Sequence, residues 1–517
     1  MSLLKSGFWV SIMTLISRIS GFIRDMVFAN LFGATAVTDV FFIAFKIPNF
    51  FRRLFAEGAF SLAFVPVFTE YKETKTHNEL KDFAAYVAGT LGVILLVLTL
   101  IVVLASPVLV YVFAAGFIGD DAKLNLTADM LQITFSYLFF ISMTAYSAGI
   151  LNSFNHFVVP AFTPVLLNLC LITAALLSAL NLTSPPIMLL AWGVFVAGLV
   201  QFLFQIPFLL KLKLLTRPKW GWKNKGVKKI IKLMIPALFG SSVAQINLLF
   251  DTFLASFLIS GSISWLYYSD RLVELPLGLF GVALAVVILP SLSAKFVKDK
   301  KQEFSDILDW ALKIALLIAI PATIGLFLLG KTILWTLFAY NAFTPEDVNM
   351  ASMSLQAYAL GLPAFILIKV LAPGFYARFD MKTPVKIGIK VMFLNMVLNI
   401  LFLYILITYN LAPAHIGLAA ATSMAAWIHC IWLFVALKNK IYHPNKKHWF
   451  WLLSKIFISS AGMALVILMF DIRDELWQNY DVMDRVINMS MIIMSAIIIY
   501  VVLSYGLGVR NLKYKTK

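Results

Sequence analysis

The sequence predicts an all-α polytopic membrane protein, and three observations carry that reading. Of its 517 residues 61% are hydrophobic and only 13% are charged, a composition outside the range of soluble globular domains. Apolar runs of about 20 residues or more, each able to cross roughly 30 Å of hydrocarbon as a helix, recur along the whole chain. The basic residues, finally, are concentrated in every second connection between those runs, as the positive-inside rule requires.

Fourteen runs are expected, at residues 6–30, 36–68, 83–112, 128–154, 158–180, 186–210, 230–258, 262–294, 307–329, 348–375, 385–407, 416–436, 449–470 and 486–505. The first holds Arg18 and Arg24 in its body and lacks a clear small-residue cleavage site, so it reads as a retained helix and not a signal peptide. The second is long enough for tilt or a kink near Pro48. After it comes a basic connection with Lys72, Lys75 and Lys81, and after the third a short acidic one with Asp120 and Asp121. Lys211, Lys213, Arg217, Lys219, Lys223, Lys225, Lys228 and Lys229 follow the sixth run, and Lys295, Lys298, Lys300 and Lys301 the eighth. Glu346 and Asp347 then mark an acidic side, Arg378, Lys382 and Lys386 a basic one, and the alternation continues with Lys438, Lys440, Lys446 and Lys447. Asp471, Asp474, Glu475 and Asp481 precede the last run, and the tail from Arg510 to Lys517 is basic. Both termini are thus expected on the cytoplasmic side, as an even number of crossings demands. Much of the net charge of +17 is a topology signal, which argues against a nucleic-acid partner. Cys170 and Cys430 both fall in expected spans, so no disulfide framework is implied.

A fixed offset near 225 residues relates two parts of the chain. Gly149, Phe154, Asn155 and Pro160 find counterparts in Gly374, Phe379, Asp380 and Pro384, and Pro48 and Pro66 in Pro276 and Pro290. The repeat unit then holds six helices, giving an N-lobe at 1–212 and a C-lobe at 213–440 related by a pseudo-two-fold along the membrane normal, with substrate expected between such lobes. The last two helices and the tail, 441–517, fall outside the repeat and could offer a lipid-facing groove.

Arg18, Arg24, Lys46, Arg52 and Arg53 all lie within the first two spans, at a depth where a charge costs about 2.5 to 3.5 kcal/mol or more. A single arginine there is as well explained by snorkelling or by one interhelical ion pair. Five cations on two consecutive helices point instead to an enclosed basic chamber for an anion. Asp39, Lys46 and Arg53 are spaced by sevens and so share one face of the second helix, with Glu57 one turn beyond. Arg18 and Asp25 share a face of the first for the same reason, while Arg24 points about 120° away. The eighth span supplies Asp270, Arg271 and Glu274, close together at i,i+3 and i,i+4. Carboxylates beside arginines keep the charge tolerable when the chamber is empty, and an anion could displace them. Arginine suits a phosphate or carboxylate because its planar fork binds two oxygens at once.

Asp251, Asn395, Asn399 and Thr422 offer oxygen ligands for a hard cation such as Na⁺, although interhelical hydrogen bonding explains them as well. His77, His156, His415, His429, His443 and His448 show no metal-ligand spacing, and no phosphate-binding loop or nucleophile elbow is present. No cofactor and no catalytic chemistry are therefore expected.

The motifs Ser17-Arg18, Gly21-Phe22-Ile23-Arg24-Asp25, Thr38-Asp39 and Phe45-Lys46-Ile47-Pro48-Asn49 resemble the bacterial MurJ (MviN) lipid II flippases, of the multidrug/oligosaccharidyl-lipid/polysaccharide exporter superfamily. The segment Arg52-Arg53-Leu54-Phe55-Ala56-Glu57-Gly58-Ala59-Phe60-Ser61 carries the likeness most specifically. The resemblance implies transfer of lipid II, an undecaprenyl-pyrophosphate-linked peptidoglycan precursor, across the bacterial inner membrane. It also implies functional arginines at Arg18, Arg24, Arg52 and Arg271, supported by Asp25, Asp39, Lys46, Arg53, Glu57, Asp270 and Glu274, and a polyprenyl groove on the last two helices. Cell-wall synthesis proteins are the implied protein partners. Some relatives bind Na⁺ through an Asp on the seventh helix and an Asn and an Asp on the eleventh. Position 399 is Asn in this chain, so one formal charge is missing, which counts against sodium coupling. The alternatives are an exporter of small drugs or metabolites on the same fold, a membrane enzyme acting on lipid-linked sugars, and a scaffold for cell-wall assembly. An arginine excess argues against the first, the lack of a carboxylate or metal cluster near a loop against the second, and buried charge against the third.

Overall fold

Long α-helices make up nearly the whole chain, and their boundaries follow the apolar runs. A computed structural model describes residues 3–438, 442 and 446–509. The tail from Arg510 to Lys517, together with Lys440 and His443, lies outside the described residues, as do the side chains of Glu57, Lys446 and Lys447. By packing, the chain divides into two units, Met1–Ser264 and Trp265–Lys517.

The first unit opens with α1 (Leu3–Phe32) and α2 (Ala36–Phe51), continues through a π-helical segment (Arg52–Phe60) into α3 (Ser61–Thr74), and then runs through α4 (His77–Leu104) and α5 (Ser106–Phe113). It is completed by α6 (Asp121–Phe135), α7 (Tyr137–Ser153), α8 (Val158–Ser178), α9 (Met188–Lys211) and α10 (Lys225–Ala255). Helix α1 packs on α8, α8 and α7 on α9, α2 on α6, and α10 on the π segment and α3. Its core is aromatic: Phe60, Phe64, Phe68 and Phe83 gather with Tyr146 and Ile150. A Cβ on Gly149 would stand 2.7 Å from the ring of Phe64, so only glycine lets α7 approach α3 this closely. Within the apolar α8–α9 contact, Gln201 Nε2 donates to the Thr163 carbonyl and Gln205 Nε2 to Thr163 Oγ1, each at 3.0 Å, the kind of polar contact that joins helices in lipid.

Helix α11 (Ser262–Pro276) begins at the end of the first unit and leads through a second π-helical segment (Leu277–Gly281) into α12 (Val282–Val297). Then come α13 (Lys301–Leu337), α14 (Pro345–Tyr376), α15 (Lys382–Tyr409), α16 (His415–Lys438), α17 (Lys446–Met469), α18 (Asp474–Asn479) and α19 (Val482–Gly506). In the second unit α14 is central, against α12, α13 and α16, and α17 and α19 pair with each other and lie on α13. A buried Arg485 ties α19 down, donating to the carbonyls of Trp335 and Ala339 at 2.9 and 2.8 Å. The Trp335 carbonyl is among those the C-terminus of α13 leaves without an intrahelical donor.

Repetition is visible in the backbone. The two π segments begin at Arg52 and Leu277, each within a turn after a proline, Pro48 and Pro276. Asn155 and Phe379 both adopt left-handed backbone, φ 62° and 58°, at corresponding turns. Among the described residues eleven helical stretches are long and apolar enough to cross a membrane. The other three of the fourteen expected spans, α1, the α2–α3 run and α10, are helices too.

Candidate functional site

The charged residues of the first two spans do not share one environment. Arg24 is buried on α1, and its guanidinium folds back on its chain neighbour: Nη2 and Nε donate to Asp25 Oδ1 at 2.6 and 3.0 Å. Its Nη1 donates to Asn168 Oδ1 on α8 at 3.1 Å, and Asn168 Nδ2 donates in turn to the Ser17 carbonyl and to Ser20 Oγ. Gly21 makes room for this network, since a Cβ there would lie 3.3 Å from Asn168 Nδ2. Phe28 places its ring under the guanidinium, 5.7 Å away. Arg24, and not Arg18, is thus the cation held against Asp25; Arg18 is exposed and makes no ion pair among the described residues.

Along α2 the spacing by sevens does align Asp39 and Lys46. Asp39 is 3% exposed, and both its oxygens are used: Oδ2 accepts from the Gly261 N–H at 2.6 Å, and Oδ1 from the Ser264 N–H and hydroxyl at 2.8 and 2.6 Å. It therefore caps the first turn of α11 from another helix, as an anionic N-cap would. Lys46 donates to Thr252 Oγ1 on α10 at 3.1 Å. Where the π segment begins, Arg52 Nε donates to Asn49 Oδ1 at 3.0 Å, while Arg53 is exposed. A π segment carries an extra residue per turn and often marks a functional position; here it carries the two arginines and Glu57, whose side chain lies outside the described residues.

In the second unit Arg271 Nη1 donates to Glu274 Oε2 at 2.9 Å, and Nη2 to the Tyr267 hydroxyl at 3.2 Å. The Tyr267 ring also stands 5.0 Å below the guanidinium. This pair is about a third exposed, in contrast to the buried Arg24–Asp25 pair, and Asp270 is half-buried beside it. Of the oxygens expected for a cation, Asn395 and Asn399 are buried one turn apart on α15, and Thr422 lies on α16, which packs against it. All three are neutral, and the one carboxylate of the set, Asp251, belongs to α10 in the other unit. Among the described residues no three His, Cys, Asp or Glu side chains gather as a metal cluster.

Sequence reasoning missed Asn168, Thr252, Gly261 and Ser264 as partners of the buried charges. It also missed a polar knot in which Trp265 Nε1 donates to Asp347 Oδ1 at 2.8 Å while His415 Nε2 contacts the Met350 carbonyl at 3.1 Å. An asparagine or serine in an apolar helix carries no signal of what it faces.

Apolar helices in this number, with arginines and carboxylates held by specific hydrogen bonds inside them, define a multi-pass membrane transporter. The model of the family "Lipid II flippase MurJ" matches residues 28–491. A "Probable lipid II flippase MurJ" of Vibrio cholerae is 49% identical over 516 residues, covering 98% of this chain and 97% of the relative. The chain belongs to the lipid II flippase MurJ family. The "Lipid II flippase MurJ" of Burkholderia cenocepacia is 39% identical over 472 residues, 90% of this chain and 89% of that protein. A solved structure, "Lipid II flippase MurJ, inward closed conformation", superimposes with a TM-score of 0.79 at 31% identity, over 96% of this chain and 97% of that one. An inward-facing multidrug resistance MATE family transporter of the MOP superfamily matches with a TM-score of 0.64 at 16% identity, over 83% and 96%, and shows the shared fold alone.

Proposed function

We infer that this protein is a lipid II flippase, carrying the precursor from the cytoplasmic to the periplasmic leaflet of the bacterial inner membrane by alternating access, with both termini cytoplasmic. Kinship over nearly the full length of named flippases supports the reading. The observation that carries the chemistry is Arg24. A guanidinium is held and oriented inside an apolar helix by Asp25 and Asn168, which is costly for a purely structural element. A diphosphate headgroup cannot enter hydrocarbon unaided, and arginine forks are suited to replace its hydration. Arg18, Arg52 and Arg271 are assigned the same task, with Asp25 and Glu274 as the carboxylates a headgroup phosphate would displace. The polyprenyl tail would stay in lipid, and we assign its contact to α17 and α19.

Purified protein in liposomes, scored for leaflet exchange of labelled lipid II against a neutral lipid, tests the reading. Lipid II should exchange and the neutral lipid should not, and Arg24→Ala should abolish the exchange while the protein stays inserted. Equal exchange of both lipids, or full activity in Arg18→Ala, Arg24→Ala, Arg52→Ala and Arg271→Ala alike, would refute it.

A further inference from the structure

The connection between α9 and α10 carries Lys213, Arg217, Lys219 and Lys223 around Trp220 and Trp222, and α10 opens with Lys225, Lys228 and Lys229. It is not helical over 214–221, yet it is held flat against the first turns of α4. The Lys219 N–H donates to the Ala85 carbonyl at 2.9 Å, and the Gly221 N–H to Thr90 Oγ1 at 3.0 Å. Lys219 Nζ reaches Asp82 Oδ1 at 2.8 Å and stands over the Tyr86 ring; that carboxylate raises the Lys219 ammonium above its usual pKa. Two glycines permit the approach. A Cβ on Gly89 would fall 2.2 Å from the Lys219 carbonyl oxygen, and one on Gly221 would fall 2.6 Å from Tyr86 Cβ.

Backbone hydrogen bonds, Lys219 and the buried Leu214 side chain fasten this segment, and both indoles are left exposed. Trp220 and Trp222 are 57% and 49% exposed, stacked on each other at 6.0 Å with their planes 8° apart. Neither indole N–H donates to an acceptor among the described residues. The rings edge a cleft of about 410 Å³ lined also by Tyr86, Lys223 and Asn224. Lys223, Lys225 and Lys228 are exposed and form no ion pair among the described residues.

The depth of this feature follows from α4. At about 1.5 Å per residue its 28 residues are longer than a hydrocarbon core of about 30 Å, so the charged first turns, with Glu79, Lys81 and Asp82, stand outside. The outward apolar run starts at Val93 and continues through Leu96, Val97, Leu100 and Ile101 to Leu104, all exposed. The tryptophans are fastened at the level of residues 85 to 90, about one turn before that run. An indole is most stable at that boundary, with its ring in the acyl edge and its N–H toward headgroups.

We propose that Trp220 and Trp222, with Lys223 and Lys225, form an interfacial clamp that binds anionic phospholipid headgroups at the membrane surface. A phosphate in the cleft would meet both an indole N–H and an ammonium, and the rigid seat on α4 means little order is lost on binding. Each cation near an anionic bilayer surface contributes about a fivefold gain in affinity.

The test uses the full chain in lipid nanodiscs without lipid II, so that its failure is separate from failure of the flippase reading. The protein is labelled with 5-fluorotryptophan, and Trp220→Phe and Trp222→Phe identify the two fluorine resonances. A nitroxide at the lipid headgroup should broaden both. Phosphatidylglycerol added to phosphatidylcholine should shift them saturably, and Lys223→Gln with Lys225→Gln should weaken that response by about tenfold or more. About 1 M salt should suppress it, since charge interactions are then screened within about 3 Å. Broadening by a water-soluble relaxation agent but not by the lipid nitroxide would overturn the proposal. So would identical responses to the two lipids, or a response that the lysine changes leave intact. Unchanged thermal unfolding of the variants confirms that they are folded; the substituted side chains are exposed.

Discussion

Asp39 and Ser264 are 225 residues apart in sequence, yet the Asp39 carboxylate accepts both the N–H and the hydroxyl of Ser264, at 2.8 and 2.6 Å. With the Gly261 N–H on its other oxygen, this one side chain satisfies three buried donors at the start of α11. Asp39→Ala should therefore destabilise the fold by about 2 kcal/mol or more, because unpaired buried donors cost about 1–3 kcal/mol each. Asp39→Asn, which keeps one acceptor, should lose less. Thermal unfolding in detergent, ranking wild type above Asn above Ala, checks this. An Ala variant as stable as wild type would show that the cap contributes nothing.

The Arg24 network predicts a second hierarchy. Asn168→Leu removes the acceptor at Arg24 Nη1 and the donor to Ser17 and Ser20. Leaflet exchange of lipid II should fall severalfold or more even though residue 168 carries no charge. Reconstituted Asn168→Leu exchanging at the wild-type rate would contradict the role given to Arg24.

At Arg271, guanidinium geometry matters beyond charge. Nη1 and Nη2 serve Glu274 and Tyr267 at once, and lysine cannot span both. Arg271→Lys should thus lower exchange nearly as far as Arg271→Ala, measured in the same liposomes. Full rescue by lysine would reduce the site to a point charge.

Sodium should not stabilise the protein through Asp251. Asn395, Asn399 and Thr422 are neutral donors, so a set with one carboxylate holds a cation weakly. Thermal unfolding in Na⁺ against a large organic cation should respond equally in the parent and in Asp251→Ala. A sodium-dependent rise confined to the parent would establish the site.

Removal of Arg485 should loosen α19. Its guanidinium holds the carbonyls of Trp335 and Ala339 and lies over the Trp335 and Tyr340 rings. Arg485→Met should cost about 1.5–3 kcal/mol, as hydrogen bonds to a charged group do. The readout is thermal unfolding, and no change would mean the carbonyls find other donors.

The sequence by itself determined the membrane class, the helical content and a side-chain pair set by helix periodicity. Hydrocarbon admits only helices or closed barrels, and i,i+3 or i,i+7 spacing fixes a shared face whatever the surroundings. Arg271 with Glu274 was legible for that reason. Periodicity misled at Arg24: neighbours on a helix diverge by about 100° at their Cα atoms, yet the long guanidinium arm folds back to Asp25. Only the tertiary structure decided that Asn168 completes Arg24, that Asp39 caps α11, and that residues 219 to 221 lie along α4. Those contacts join residues 131 to 225 positions apart, and a serine, threonine or asparagine in an apolar helix does not announce which neighbour will meet it.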